Sequence, residues 1–316
     1  MEKNAFISLQ NGLGDKLLDL IGFYIICKYL HYIPFVSFNN DIKQFAWGNN
    51  KYDIKLFDLQ GFVITNNWNQ CRYYVRSPNP SASLCPYKVY TFLKTFLPEI
   101  TFEEISQCYN LYSKEIIKPS EIILSKIPNN IENAYGIHLR KSDKVGKNVN
   151  IIHENLIDEF SIITNQLLFT VKDIIVAEDD PTFIIVSEDD EWKNEIKEII
   201  QNIAIKKNKV IQILEIDYTN ENNFANYKSV LDMFCLSKCK EILQGVKYST
   251  FSILASILGN CKLRNYSNYL DSNNLCLIYS WNSVVEINWQ INFDKDFHER
   301  ITNNVSNIET NIHTTE

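Results

Sequence analysis

No apolar run in this 316-residue chain reaches the roughly 20 residues that a membrane-spanning helix needs. The longest such stretch, residues 17–30, is interrupted by Asp19 and Lys28 and reads as a buried amphipathic helix. No basic-plus-apolar leader opens the chain, because a strand-like run over residues 5–9 starts almost at once. Glycine is scarce, at nine residues, so each glycine in a loop is informative. The eight cysteines form no Cys-x-x-Cys pair; Cys235 and Cys239 share a helical face, but with no histidine near them core packing is the default. Without a leader, reduced thiols in a cytosol-like compartment are expected, which makes the protein soluble and cytoplasmic. Positive charge is also short. A formal net charge of -7 argues against nucleic acid or an anionic membrane as the main partner, so any anion site must be a local basic cluster.

What is present is alternation. Residues 5–9 read as a strand, 10–14 as a tight turn, 15–32 as a helix and 33–38 as a second strand, a βαβ opening. Strand candidates follow at 52–57, 62–65 and 73–75, then helices at 87–97, 102–112 and 120–126. The polar, turn-like stretch 128–133 is the best candidate boundary. A second series comes next: strands at 134–139, 183–187, 210–214 and 241–244, with helices at 155–171, 190–203, 229–237 and 250–258. The expected fold is α/β, two Rossmann-like domains (1–130 and 131–297) with parallel sheets facing across a cleft, and a polar tail at 298–316. Open parallel sheets bind ligands at the carboxyl ends of their strands, so residues just after each strand deserve scrutiny.

Two such places stand out. After the first strand, Asn11, Gly12 and Gly14 form a turn whose glycines permit positive φ and close approach of a phosphate to a helix start. Leu17 stands where a dinucleotide fingerprint needs a small residue, so NAD or FAD is poorly supported, and a plain strand-to-helix turn is the competing reading. After the 134–139 strand come His138, Arg140, Lys141, Asp143 and Lys144. Alternation puts His138 and Arg140 on one face with Leu139 on the other. An arginine there can grip two phosphate oxygens in a fork, and the lysines add charge. The competing reading is a solvated charged turn capped by Asp143.

The segment YGIHLRKSDKVG (135–146) resembles the His-x-Arg-Arg-x-Asp-Lys-Val-Gly motif of the α1,6-fucosyltransferases, the core-fucosylating and nodulation-factor enzymes of the GDP-fucose fucosyltransferase superfamily. Downstream, His153, the strand end IVSEDD (185–190), the helix LDMFCLS (231–237) and the turn STFS (249–252) resemble pieces of the same enzymes, and NGLG (11–14) resembles the superfamily's N-terminal turn. The resemblance covers residues 135–258 well and is faint before them. It implies a GT-B-like fold and an inverting glycosyltransferase that needs no metal or other cofactor. Its substrates would be GDP-fucose, held mainly by the second domain, and a glycan or glycoconjugate acceptor. By motif position, Arg140 would neutralise the diphosphate, while His138 and Asp143 shape the pocket. Asp189, Asp190 and Asp232 would contact or position the nucleotide. Ser249, Thr250, Phe251 and Ser252 would sit at the phosphate, where the last helix begins. Fixed cations aimed at the leaving group lower the barrier because negative charge builds there in the transition state.

Two positions depart from the family pattern. Lys141 replaces the second arginine, keeping charge but losing the fork. Asn148 stands where the animal enzymes carry a glutamate as the expected base, and an amide cannot accept that proton. Glu154, nearby, or Asp15, from the first domain, could serve, or a phosphate oxygen could take the proton. Arg140, Lys144 and Glu154 are therefore the catalytic candidates. Trp47, Trp68 and Tyr73 could stack on an acceptor sugar, though core packing is the commoner fate of aromatics. Rival readings are another sugar nucleotide in the same fold, a non-catalytic sugar-nucleotide or glycan-binding protein, and a Rossmann-type enzyme unrelated to sugars.

Overall fold

The computed structural model describes residues 4–9, 12–37, 53–65, 73–75, 84–140, 154–246 and 249–265. They form two compact units, one ending at Lys118 and the other beginning at Pro119. This division falls ahead of the polar 128–133 stretch, and the reason is local. Helix α4 (Glu121–Leu124) packs on helix α7 (Tyr227–Lys238), and Lys126 pairs with Asp217, so this segment is tied to the later residues.

The first unit opens with β1 (Asn4–Ser8), α1 (Leu13–Tyr29) and β2 (Ile33–Ser37). Helix α1 is apolar nearly all round, with Leu17, Leu18, Leu20, Ile21, Phe23, Ile25 and Ile26 buried, as expected of a helix covered on both sides. Beyond it come β3 (Phe57–Leu59), β4 (Val63–Ile64) and β5 (Tyr73–Val75). The unit closes with α2 (Pro86–Leu93), α3 (Phe102–Ile116) and β6 (Ile117–Pro119). The strand read over 52–57 is instead a 3-10 turn at Ile54–Leu56, begun by Asp53, whose carboxylate accepts from the Lys55 N–H at 3.0 Å; β3 follows it and pairs with β6. The main sheet has the order β4-β2-β1-β5, and its mapped pairs are all parallel. Pro86 starts α2 where a missing N–H costs nothing, and Thr101 caps α3 by accepting from the Glu104 N–H at 3.1 Å.

The second unit alternates strictly: β7 (Ala134–Leu139), α5 (Glu154–Ala177), β8 (Thr182–Ser187), α6 (Asp190–Lys206), β9 (Gln212–Leu214), α7, β10 (Glu241–Gly245), α8 (Thr250–Gly259) and β11 (Lys262–Asn265). Its five strands run parallel in the order β11-β10-β7-β8-β9, so the order reverses at β7. On one face Tyr135, Ile137 and Leu139 join Leu167, Val171, Ile174 and Ile175 of α5 and Trp192, Ile196 and Ile200 of α6 in one apolar core. That core carries α5 past the expected end at 171. On the other face α7 and α8 cover β7 and β10. A Cβ on Gly136 would lie 2.7 Å from Leu236 and 2.9 Å from the Cys239 sulfur, and one on Gly259 only 1.8 Å from the Ser237 carbonyl oxygen. The first contact is with movable side-chain ends; the second, against backbone, requires glycine.

Among the described residues, no helix is long and apolar enough to cross a membrane.

Candidate functional site

In a sheet whose strand order reverses, the two strands flanking the reversal send their connections to opposite faces and leave a crevice at their carboxyl ends. In the second unit those strands are β7 and β10. His138 is the penultimate residue of β7 and pairs in register with Gln244 of β10. Leu139 turns into the α5 face, so His138 turns toward α8, as alternation requires.

There the His138 Nδ1 lies 2.5 Å from the Ser252 hydroxyl, and its ring lies 5.0 Å from the ring of Phe251. The imidazole is 6% exposed. Burial first, and the Arg140 charge second, push its pKa down from 6.5 to about 3. At neutral pH His138 is therefore uncharged and bears one N–H donor and one acceptor. Ser249 caps α8, accepting from the Ser252 N–H at 3.5 Å, and Thr250 is the first helical residue. The turn thus points the N-terminus of a ten-residue helix, with its partial positive charge, at the same edge as Arg140.

Arg140 follows directly on β7. Its Nε lies 3.8 Å from a Glu188 carboxylate oxygen, with both side chains about a third exposed, at 35% and 38%. Asp189 is a helix cap, its carboxylate accepting from the Trp192 N–H at 2.9 Å. Asp190 pairs with Lys228 at 2.7 Å, and that hydrogen bond holds its pKa below the usual carboxylate value. Asp232 is buried on α7 and accepts a 2.5 Å hydrogen bond from the Tyr218 hydroxyl. Burial raises its pKa to about 7, against the lowering effect of that hydrogen bond.

Asp232 belongs to the same edge as His138. Helix α7 joins two strands parallel to β7 and so runs antiparallel to it. Its Leu236 abuts Gly136. One helical turn back from Leu236 and two strand residues on from Gly136 are both steps of about 6 Å, which brings Asp232 level with His138.

In the first unit, Gly12 caps α1 in extended conformation with φ -70, and Gly14 lies in the first helical turn, so neither uses the positive φ that glycine permits. The sequence reading passed over their surroundings. Lys16 and Asp19 of α1 and Lys88 of α2 are all buried. Asp19 accepts from the Leu84 N–H at 2.6 Å, and burial raises its pKa to about 8. Burial lowers that of Lys16 to about 8 and lowers that of Lys88 as well. Interruption of an apolar helix by Lys16 and Asp19 was the visible signal. Gln244, fully buried beside His138, was also missed; its amide donates to the Val246 carbonyl at 2.8 Å, while its own oxygen has no hydrogen-bond partner among the described residues.

Asn11, Lys141, Asp143, Lys144, Asn148 and His153 lie outside the described residues, as do Trp47, Trp68 and the tail. Glu154 opens α5. Among the described residues no group of three or more His, Cys, Asp or Glu side chains could hold a metal ion.

No protein-family model and no curated protein matches the chain. Solved structures do. An Arabidopsis thaliana FUT1 variant in complex with GDP superposes with a TM-score of 0.50 at 11% identity, over 83% of this chain and 70% of that one. The NodZ fucosyltransferase from Bradyrhizobium gives 0.48 at 10% identity, over 82% and 94%. POFUT1 in complex with GDP-fucose gives 0.43 at 10% identity, over 83% and 96%. At these identities the first likeness speaks to architecture alone. The chain has a GDP-fucose fucosyltransferase-like fold, α/β with a parallel sheet in each unit.

Proposed function

We propose that this protein is an inverting glycosyltransferase that transfers fucose from GDP-fucose to a glycan or glycoconjugate acceptor. The reading rests above all on one arrangement. At the strand-order reversal of the second unit, neutral His138 is hydrogen-bonded to Ser252 at the head of α8, and Arg140 is placed directly after it.

In this reading Arg140 and the N-terminus of α8, with Ser249, Thr250 and Ser252, bind the diphosphate. His138 and Phe251 form a wall, His138 offering a neutral hydrogen bond, and Asp232 contacts the base. Asp189 and Asp190 act through the elements they fix, since both are engaged within the protein. The acceptor hydroxyl oxygen forms a bond to the anomeric carbon from the face opposite the leaving group. The C–O bond to GDP breaks with its electron pair, and the acceptor proton passes to a base, for which Glu154 is the candidate. Arg140 and Lys144 stabilise the charge gathering on the diphosphate, the part a metal ion plays in other transferases. Lys141 and Asp143 complete the donor contacts by motif position, and Asn11, Gly12 and Gly14 are proposed as donor-contacting residues on the resemblance of their turn alone. A second reading, a non-catalytic sugar-nucleotide-binding protein, is favoured by Asn148 at the position of the family's expected base.

Thermal-shift measurements with GDP, UDP, ADP and CDP test the donor, since a ligand that binds only the folded state raises its stability. GDP is expected to stabilise most; stabilisation by UDP and not GDP overturns the assignment. GDP-fucose that binds but is neither hydrolysed nor transferred to any glycan selects the second reading.

A further inference from the structure

Asp232 does not stand alone. The Tyr218 hydroxyl, in the connection between β9 and α7, donates to its Oδ1 at 2.5 Å. The Tyr218 ring has Lys193 of α6 and Lys228 of α7 over it, their Nζ atoms 5.4 Å and 5.2 Å from its centroid. Lys228 is held in turn by Asp190 at 2.7 Å. Two helices thus converge on one phenol, whose hydroxyl donates to one carboxylate.

We propose that Tyr218 is a positioning residue whose hydroxyl fixes the Asp232 carboxylate as a hydrogen-bond acceptor toward the bound nucleotide. The inference rests on the nucleotide-site reading above. Its physical basis is the cost of a buried carboxylate. A carboxylate with one donor and no ion pair is driven toward its neutral form, in which one oxygen becomes a donor. A guanine edge presents N–H donors, so the neutral acid is the wrong partner. The phenol resists that drift by hydrogen-bonding the ionised form, and the lysines over its ring polarise the hydroxyl and add positive potential. Burial keeps Asp232 at about 7 even so. Its charge is therefore poised where a single hydrogen bond decides it.

Among the described residues, the charged and titratable groups that act on Asp232 come from three places. Lys193 and Asp190 come from α6, Lys228 and Cys235 from α7 and Tyr218 from the β9–α7 connection. Helix α8 carries no charged residue, and β7 contributes neutral His138. Glu121 of α4 and Glu132 of the 3-10 turn Ile131–Asn133, both also beside α7, are exposed.

The test is GDP affinity against pH for the wild type, Tyr218→Phe, Asp232→Asn and the double variant. Phenylalanine keeps the ring under both lysines, so the fold survives. Binding by Tyr218→Phe is expected to weaken about tenfold near pH 7 and only about twofold near pH 8.5, because the midpoint moves up. In the Asp232→Asn background, Tyr218→Phe is expected to change nothing further. An equal loss at every pH, or an unmoved midpoint, overturns the inference while leaving the nucleotide site intact. Failure of the wild type to bind GDP overturns the site reading and this inference with it. Carboxyl 13C NMR of Asp232 in ligand-free protein supplies a readout without nucleotide: its midpoint must rise in Tyr218→Phe.

Discussion

The burial of His138 has a measurable price in acid. Its folded pKa of about 3 lies well below the 6.5 of an exposed imidazole. Between those values the unfolded chain takes up a proton that the folded state refuses, so folded stability falls as pH falls. Integrating the two titrations between about pH 7.5 and about pH 5 gives a loss of about 2 kcal/mol. The figure is insensitive to the folded pKa, because the folded imidazole is neutral throughout that window. His138→Gln keeps a polar group able to reach Ser252 but cannot titrate. Asp232 and Asp19, whose pKa values are raised, act in the opposite sense in the wild type, and the difference between the two proteins cancels them. Amide exchange of the β7 and β8 backbone reports the opening free energy of this unit directly. The wild type should lose about 2 kcal/mol relative to His138→Gln between the two pH values. A difference that stays constant within about 0.5 kcal/mol would refute the reasoning and mean that His138 gains its proton in the folded state.

Other outcomes follow from the same geometry. Arg140→Ala is expected to abolish the thermal shift produced by GDP while leaving the unliganded melting temperature within about 2 °C; unchanged GDP affinity removes the motif from the diphosphate. Glu188→Gln should change stability by less than about 0.5 kcal/mol, since the Arg140 pair is long and partly exposed, yet tighten GDP binding about threefold by removing a competing carboxylate, as calorimetry would show. Gly259→Ala should destabilise the second unit by about 3 kcal/mol or more in urea titrations, because a backbone oxygen blocks the methyl group. Asp19→Asn should gain about 2 kcal/mol on the wild type between about pH 6 and pH 8, because the raised pKa of Asp19 makes the wild type lose stability as pH rises through that window; parallel denaturation curves check it.

The elements with strong periodicity were legible. The strand Ala134–Leu139 and the helix that begins at Asp190 stand where the pattern of apolar residues put them. Short strands were not. Ile117–Pro119 falls between two helix candidates, and only its pairing with Phe57–Leu59, far away in sequence, makes it a strand. The strand Lys262–Asn265 is polar at alternate positions, and its place beside β10 is secured by Glu241, which pairs with Arg264 at 2.7 Å and Lys262 at 3.5 Å. In the site, residue types near strand ends marked His138 and Arg140, and the fold shows Asp189 capping α6. The union of Tyr218 with Asp232 was not legible, because fourteen residues and a loop separate them and no periodicity spans a loop. Nor could spacing reveal that His138 is neutral, since that depends on what surrounds the ring.

Gly259 brings the C-terminal end of α8 against the C-terminal end of α7 at a distance that admits no side chain. Helix α7 carries Asp232 and α8 begins at Ser249 and Ser252, so the proposed base contact and phosphate contact are mounted on one welded pair. Neither helix can slide to suit a donor with a bulkier base or a shifted phosphate without dragging the other. Evolution or engineering of donor preference in this chain is thereby confined to exchanging side chains on a fixed frame. A variant library aimed at new donors should leave Gly259 and Ser237 untouched and spend its diversity on the loops after β9 and β10.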